Sequence, residues 1–345
     1  MPTRKQASQS LPHFAAHQRG VSLVELMISM TLGLLVIGAM TTIFLNNSQS
    51  RRELDKSAQQ LENGRYAIQM LRDEISLAGY FDALSSPPAG GAVTASPCST
   101  DLAEWSASLD VVVEGMNDGK FPCIGSAKPD TGTVFVQRAA TAETPAPGLA
   151  ANVAYFQVSL CGEDYAGTPA PPPSPVAQFR LATPATGAFS LRQIDCAAAI
   201  APIRRYIRRI FFIDSNNVAG DGIPTLKRAD FGANQTLSAP VALVEGIEHL
   251  HFEYALDTNG DATPDEFREP DEFATAPAVK WSDVVGVRVW LIARAIESSP
   301  GYVDEKTYQL GGKDPFVPED SVKRFKRHVF NTYIELTHPT GRRTK

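Results

Sequence analysis

The longest apolar run in the chain covers residues 21 to 45, and Glu25 is the one charge within it. At about 1.5 Å per helical residue, such a run covers the roughly 30 Å hydrocarbon layer of a bilayer and predicts a membrane-crossing helix. Beyond it, Leu54, Ala58, Leu61, Ile68, Leu71, Ile75 and Ala78 recur at the spacing of an amphipathic helix face. The two patterns predict one helix from Val21 to about Ala78, stopping near Gly79. Gly33, Gly38 and Gly64 are weak points in it, each costing about 1 kcal/mol relative to Ala in a helix interior.

After Gly79 the period changes. Short β-branched and aromatic runs occur at 109–115, 133–138, 152–160, 177–182, 189–194, 204–213, 244–256, 284–295 and 328–336. These read as strands, separated by Pro- and Gly-rich connections such as SSPPAGG and TPAPPPSP; the latter suits an exposed polyproline-like loop. The predicted fold class is α+β, one long N-terminal helix packed on a mostly antiparallel sheet with long loops.

The flanks of the apolar run decide its orientation. Residues 1 to 20 carry Arg4, Lys5 and Arg19 and no acid, which keeps the N-terminus cytoplasmic and exports the rest. A secretory signal has its small-residue cleavage site after the apolar core, whereas here the well-placed small residue, Gly20, precedes it. An ionised acid inside the hydrocarbon layer costs at least a few kcal/mol, which makes Glu25 a functional hypothesis in need of a partner. The other reading of Glu25 is an acid resting at the lipid interface.

A basic leader ending in Gly20, then Val21, Glu25 and the run LMISMTLGLLVIGAM together resemble the class III signal of type IV prepilins. That resemblance implies cleavage after Gly20 by a prepilin peptidase, N-methylation of Val21, and pairing of Glu25 with the terminal ammonium of a neighbouring subunit. Opposite charges attract strongly in a low-dielectric setting, so the acid is tolerable in an assembly where a lone one is not. Two features depart from the commonest pattern: Val21 stands where the family usually has Phe, and the leader is long.

Further stretches resemble the PilW-type minor pilins: ENGRYAIQMLRDEISLAGYFD at 62–82, LVEGIEHLHFEYALDTNGD at 243–261, VVGVRVWLIARA at 284–295 and RFKRHVFNTYIEL at 324–336. Residues 83 to 200 resemble nothing identifiable. The resemblance implies a low-abundance subunit that primes pilus assembly and so supports adhesion, twitching motility or DNA uptake. Its implied partners are other minor pilins, the major pilin, the inner-membrane assembly platform and a tip adhesin. The implied organisation is a leader at 1–20, a transmembrane and assembly helix at 21–45, its amphipathic continuation at 46–80 and a periplasmic head at 81–345. The mature protein would sit in the inner membrane and then in the pilus fibre.

Composition fits an exported, anchored protein. The net charge is −6, and removing the three basic residues of the leader makes it −9, a surface with no general attraction for nucleic acid. Cys98, Cys123, Cys161 and Cys196 all lie in the exported part, where the compartment is oxidising, so two disulfides are expected. Sequence leaves three connectivities open, of which the sequential one, Cys98 with Cys123 and Cys161 with Cys196, is the simplest. Buried free thiols are the other reading, while a four-Cys zinc site lacks any C-x-x-C spacing.

The head holds one candidate cation loop, DTNGDATPDE at 257–266. Asp257, Asn259, Asp261 and Asp265 stand at positions 1, 3, 5 and 9, with the Thr263 carbonyl at 7, a spacing that suits Ca²⁺. Against that, Ala262 stands where such loops have Gly, and Arg268 where they have a bidentate Glu, leaving Glu266 or Glu269 to substitute. A metal-free acidic turn fits the same residues; no cofactor is otherwise required. In EHLHFEY, strand alternation sets His249, His251 and Glu253 on one face, expected to be solvated, with zinc binding the minor reading. The RRYIRR cluster at 204–209 and the basic stretch from Lys323 to Arg327 are expected to pair with acids rather than phosphates. Trp105, Trp281 and Trp290 are expected in the core.

No G-x-S-x-G, H-E-x-x-H or G-x-x-x-x-G-K-[ST] occurs, so assembly is favoured over catalysis. The alternatives are a minor pseudopilin of a type II secretion system and a membrane-tethered periplasmic enzyme or binding protein.

Overall fold

The computed structural model describes residues 20–84, 96–117, 121–159, 161, 178–276, 279–312 and 315–343. The connections expected at 85–91 and 168–175 lie outside these. The chain divides into two units, residues 1–54 and 55–345, each described by itself.

The uninterrupted run of helix-forming residues gives α1, Leu23–Ser76, within two residues of each expected end. In the first unit, its side chains from Leu23 to Leu45 are exposed in the isolated chain. This is a helix long and apolar enough to cross a membrane. Its hydroxyls turn back on their own helix: Ser29 donates to the Glu25 carbonyl at 2.7 Å, Thr41 to Ile37 at 2.8 Å and Thr42 to Gly38 at 2.9 Å. These polar groups therefore need no partner in lipid.

In the second unit, the face of α1 that is buried differs from the expected stripe. Gln60, Gly64, Ala67, Leu71 and Ile75 are buried, while Ala58 is exposed and Leu61 is only half-buried. The upper part of the stripe holds because Leu71 and Ile75 enter the main core. The lower part turns away for two local reasons. Gln60 satisfies the carbonyls of Ala293 and Lys326, at 2.6 and 3.0 Å, and Gly64 receives the ring of Phe330.

Two antiparallel sheets build the rest. The first is seven-stranded: β1 (Val113–Met116), β2 (Thr133–Glu143), β5 (Ile203–Asp214), β3 (Tyr155–Ser159) and β4 (Gln178–Ala182) in that order, with β6 (Thr225–Asp230) on the far half of β5 and β7 (Val241–Glu245) beside it. The second is four-stranded in the order β11 (Arg327–Glu335), β10 (Val284–Arg294), β8 (Ile247–Leu256), β9 (Glu266–Arg268). Short helices α2 (Leu102–Ala107), α3 (Pro270–Thr275) and α4 (Thr337–Arg343) fill the connections.

Most expected strands form near the expected places. FSLRQI does not; it contributes a single bridge, Arg192 to Ile200. The run at 244–256 is divided at Gly246 between two sheets. One main core joins both sheets to α1 and α2 through Leu71, Ile75, Phe81, Trp105, Phe211 and Leu291.

A second, smaller core lies on the other face of the four-stranded sheet, where Trp290 and Ile292 meet Tyr308, Leu310 and Phe316. This cover corrects the expectation for EHLHFEY. Every residue of β8 is buried, including His249, His251 and Glu253. Alternation names two faces but does not say that both are dry; Tyr308, Leu310 and Phe316 cover the second one.

Candidate functional site

Gly20 lies before α1, exposed and outside helical geometry, so the Gly20–Val21 peptide is not locked into helical hydrogen bonding. Glu25 follows in the first turn of α1, where the partial positive charge of the helix N-terminus favours an acid. Its carboxylate takes no partner among the described residues, in contrast to the hydroxyls that follow it. The site is thus a non-helical Gly20–Val21 junction followed by one acid, Glu25, in a stretch with no other charge up to Leu45.

The acidic loop of the head closes on itself. Asp257, which is buried, accepts from the amides of Gly260 at 2.6 Å and Ala262 at 2.9 Å, and the Arg343 guanidinium stands 3.2 Å away. Burial pushes the Asp257 carboxyl up, but those amides and Arg343 hold it below the usual carboxylate range. Asp265 accepts from the amide and hydroxyl of Thr258, both at 2.7 Å, and from the Asn259 side chain at 3.0 Å. Asp261 accepts the Thr263 amide at 2.8 Å. Ala262 keeps the left-handed conformation that a glycine usually supplies there, at φ +70°. Glu266 pairs with Arg268, and Glu269 accepts from Asn117, so neither acid proposed for the twelfth position is directed at the loop. The carboxylates face N–H donors, an arrangement that suits a self-satisfied turn better than a calcium cage.

Both disulfides form in chain order, Cys98 to Cys123 and Cys161 to Cys196, with Cα separations of 5.6 and 5.0 Å. The arginines of RRYIRR divide into two kinds. Arg204 pairs with Asp82 at 3.1 Å and Arg209 with Asp230 at 2.8 Å and with Glu74. Arg208 is buried under the rings of Trp105, Phe135 and Phe231, donating to the carbonyls of Ser96 and Ser99. Burial pulls its pKa down to about 10. Arg327, from the basic C-terminal stretch, lies in a buried network, 2.9 Å from Glu248 and 3.1 Å from Asp304. Trp105 and Trp290 are buried, and Trp281 stacks on Phe273 at 3.7 Å between ring centroids.

Arg327 pairs with acids as expected, but sequence reasoning did not name Glu248 or Asp304 and missed the Gly64 contact. The visible signals were a glycine on the helix face turned towards the head and isolated charges inside apolar strands.

A long N-terminal helix with an apolar first half holding a single acid, and a head of antiparallel sheets, give an α+β fold of the type IV pilin-like class. Residues 210–338 match the family model of the type IV pilus-assembly protein W, and residues 15–41 match the prokaryotic N-terminal methylation motif. The first match covers all four strands of the second sheet and the second covers Gly20, Val21 and Glu25. The chain thus carries the marks of a membrane-anchored, type IV pilus-related pilin. No curated protein and no solved structure matches it.

Proposed function

We propose that this protein is a minor pilin that takes part in priming and assembling type IV pili, and through them in adhesion, twitching motility or DNA uptake. Its work is helix packing and head contact rather than catalysis. The observation that carries this reading is Glu25: a single acid with no partner among the described residues, in the first turn of a helix that has no other charge up to Leu45. Cleavage after Gly20 creates an ammonium at Val21, and a neighbouring subunit then supplies the charge that Glu25 lacks. Prepilin peptidase, other pilins, the assembly platform and a tip adhesin are the partners this implies, with the N-terminus cytoplasmic and the head periplasmic before incorporation. A minor pseudopilin of a secretion system would share the signal and helix; the match to a pilus-assembly family favours the pilus.

Intact-mass measurement of membrane-extracted protein tests the first step. A chain beginning at a methylated Val21 supports the reading, and a retained leader overturns it. Deleting the gene separates pilus from secretion: loss of surface pili and twitching is expected, whereas loss of secreted hydrolases with pili intact would place the protein in the secretion system.

A further inference from the structure

We propose that His251, Glu253 and Glu269 form a binding site for a divalent transition metal, with Zn²⁺ as the best match to the donors. The inference is independent of the pilin reading. β8 sets His251 and Glu253 two residues apart on one face. The β8–β9 pairing then returns the chain so that Glu269, just before α3, faces the same place. One donor atom from each residue lies within 4.8 Å of the other two. In a tetrahedral zinc site with bonds of about 2.0 Å, neighbouring donors are about 3.3 Å apart, so modest side-chain rotation closes the set.

The surroundings resemble the outer shell of a metal centre. Asn117 donates to Glu269 Oε2 at 2.5 Å, Arg288 to Glu253 Oε2 at 3.0 Å, and the Gly312 amide to Glu253 Oε1 at 2.9 Å. Each of these holds a carboxylate in place from outside the cluster, as ligand-orienting partners do. Gly311 lets the covering loop come this close. It has φ +63°, and a Cβ on it would stand 2.4 Å from Glu253 Oε1 and 3.0 Å from the Trp290 ring.

The converging side chains point to a bridging cation. His251 is fully buried and presents its Nε2 to the cluster, 3.0 Å from Glu269 Oε1. Glu253 and Glu269 are two carboxylates converging on one small space, and among the described residues Arg288 is the one arginine bonded to either of them. A cation between them removes the like-charge repulsion. The imidazole selects a transition metal over Ca²⁺ or Mg²⁺, which take oxygen donors. Bound metal would replace the proton between His251 and Glu269 and tie β8 directly to the start of α3. A water would complete the four-coordinate shell.

The test uses the full-length protein, tag-free, in detergent and stripped of metal. Zinc affinity is measured by competition with a chromophoric chelator, and Co²⁺ loading is followed by its visible absorption. One equivalent of zinc and a nitrogen–oxygen cobalt spectrum are expected. Glu269→Gln and Glu253→Gln should each weaken zinc by roughly tenfold or more, and circular dichroism of each metal-free variant reports whether it has folded. No binding by the native protein overturns the proposal. So does binding that either folded variant retains at native strength, since the ion would then sit elsewhere.

Discussion

Phe330 of β11 packs directly on the backbone of α1 at Gly64: a Cβ at that position would stand 2.6 Å from the ring's Cδ2 and Cζ and closer still to Cε2. The glycine that looks like a weak point of the helix is therefore its docking point on the second sheet. Gly64→Ala removes a helix penalty of about 1 kcal/mol but forces the ring out of place, at a cost of about 1 to 3 kcal/mol. A net loss of stability is expected in thermal unfolding. Phe330→Leu in the same chain should recover part of it. An alanine variant more stable than the parent would show that the ring can retreat freely.

Burial of Glu114 on β1 pushes its carboxyl up to about 7, with Arg208 pulling weakly the other way. The sign follows from proton counting. Between its ordinary value of 4.5 and 7, the folded chain holds a proton on Glu114 that the unfolded chain has lost, so stability falls as pH rises through that window. The full drop is on the order of 3 kcal/mol. Glu114→Gln should flatten this part of the stability profile and stabilise the head at pH 8. A profile with the same slope in both proteins would count against it.

The two disulfides close separate loops, spanning 25 and 35 residues. Chain-entropy arguments give each about 3 to 4 kcal/mol. Because the loops share no segment, replacing either pair by serine should cost a similar amount and the two losses should add. Denaturant unfolding of the single-pair and double-pair variants measures this. Strong non-additivity would mean that the loops cooperate.

Asp257, Asn259, Asp261, Thr263 and Asp265 form a turn whose carboxylates already hold amides. Calorimetry with millimolar Ca²⁺ should show no binding heat, and thermal unfolding no shift. Asp257→Asn, in contrast, should destabilise the head by about 1 to 3 kcal/mol, because the Arg343 contact loses its charge. Saturable calcium heat would restore the cation reading of the loop.

Glu25→Ala should leave cleavage after Gly20 intact and impair incorporation into filaments. Quantifying the processed protein in membrane and sheared-pilus fractions distinguishes the two steps. Normal incorporation would remove the charge-pairing argument.

Several elements were legible because their signals are local. The helix ends, the strands at 133–138, 204–213, 284–295 and 328–336, and the N-terminal junction all follow from periodicity and charge over a few residues. FSLRQI failed because alternation over six residues says nothing about whether a neighbouring strand is available. β9 and α3 were too short to leave a periodic trace.

Amino-acid order alone determined the long apolar helix with its lone acid and the alternating strands, since each depends on neighbours in the chain. Tertiary structure decided which side of α1 is buried, and it did so through Gly64 and Gln60 rather than through the most apolar stripe. It also decided that His251 and Glu253 are dry and that Glu269 meets them. Those outcomes depend on segments distant in the chain, Phe330, the cover of Tyr308, Leu310 and Phe316, and the β8–β9 return, whose arrival no local pattern specifies.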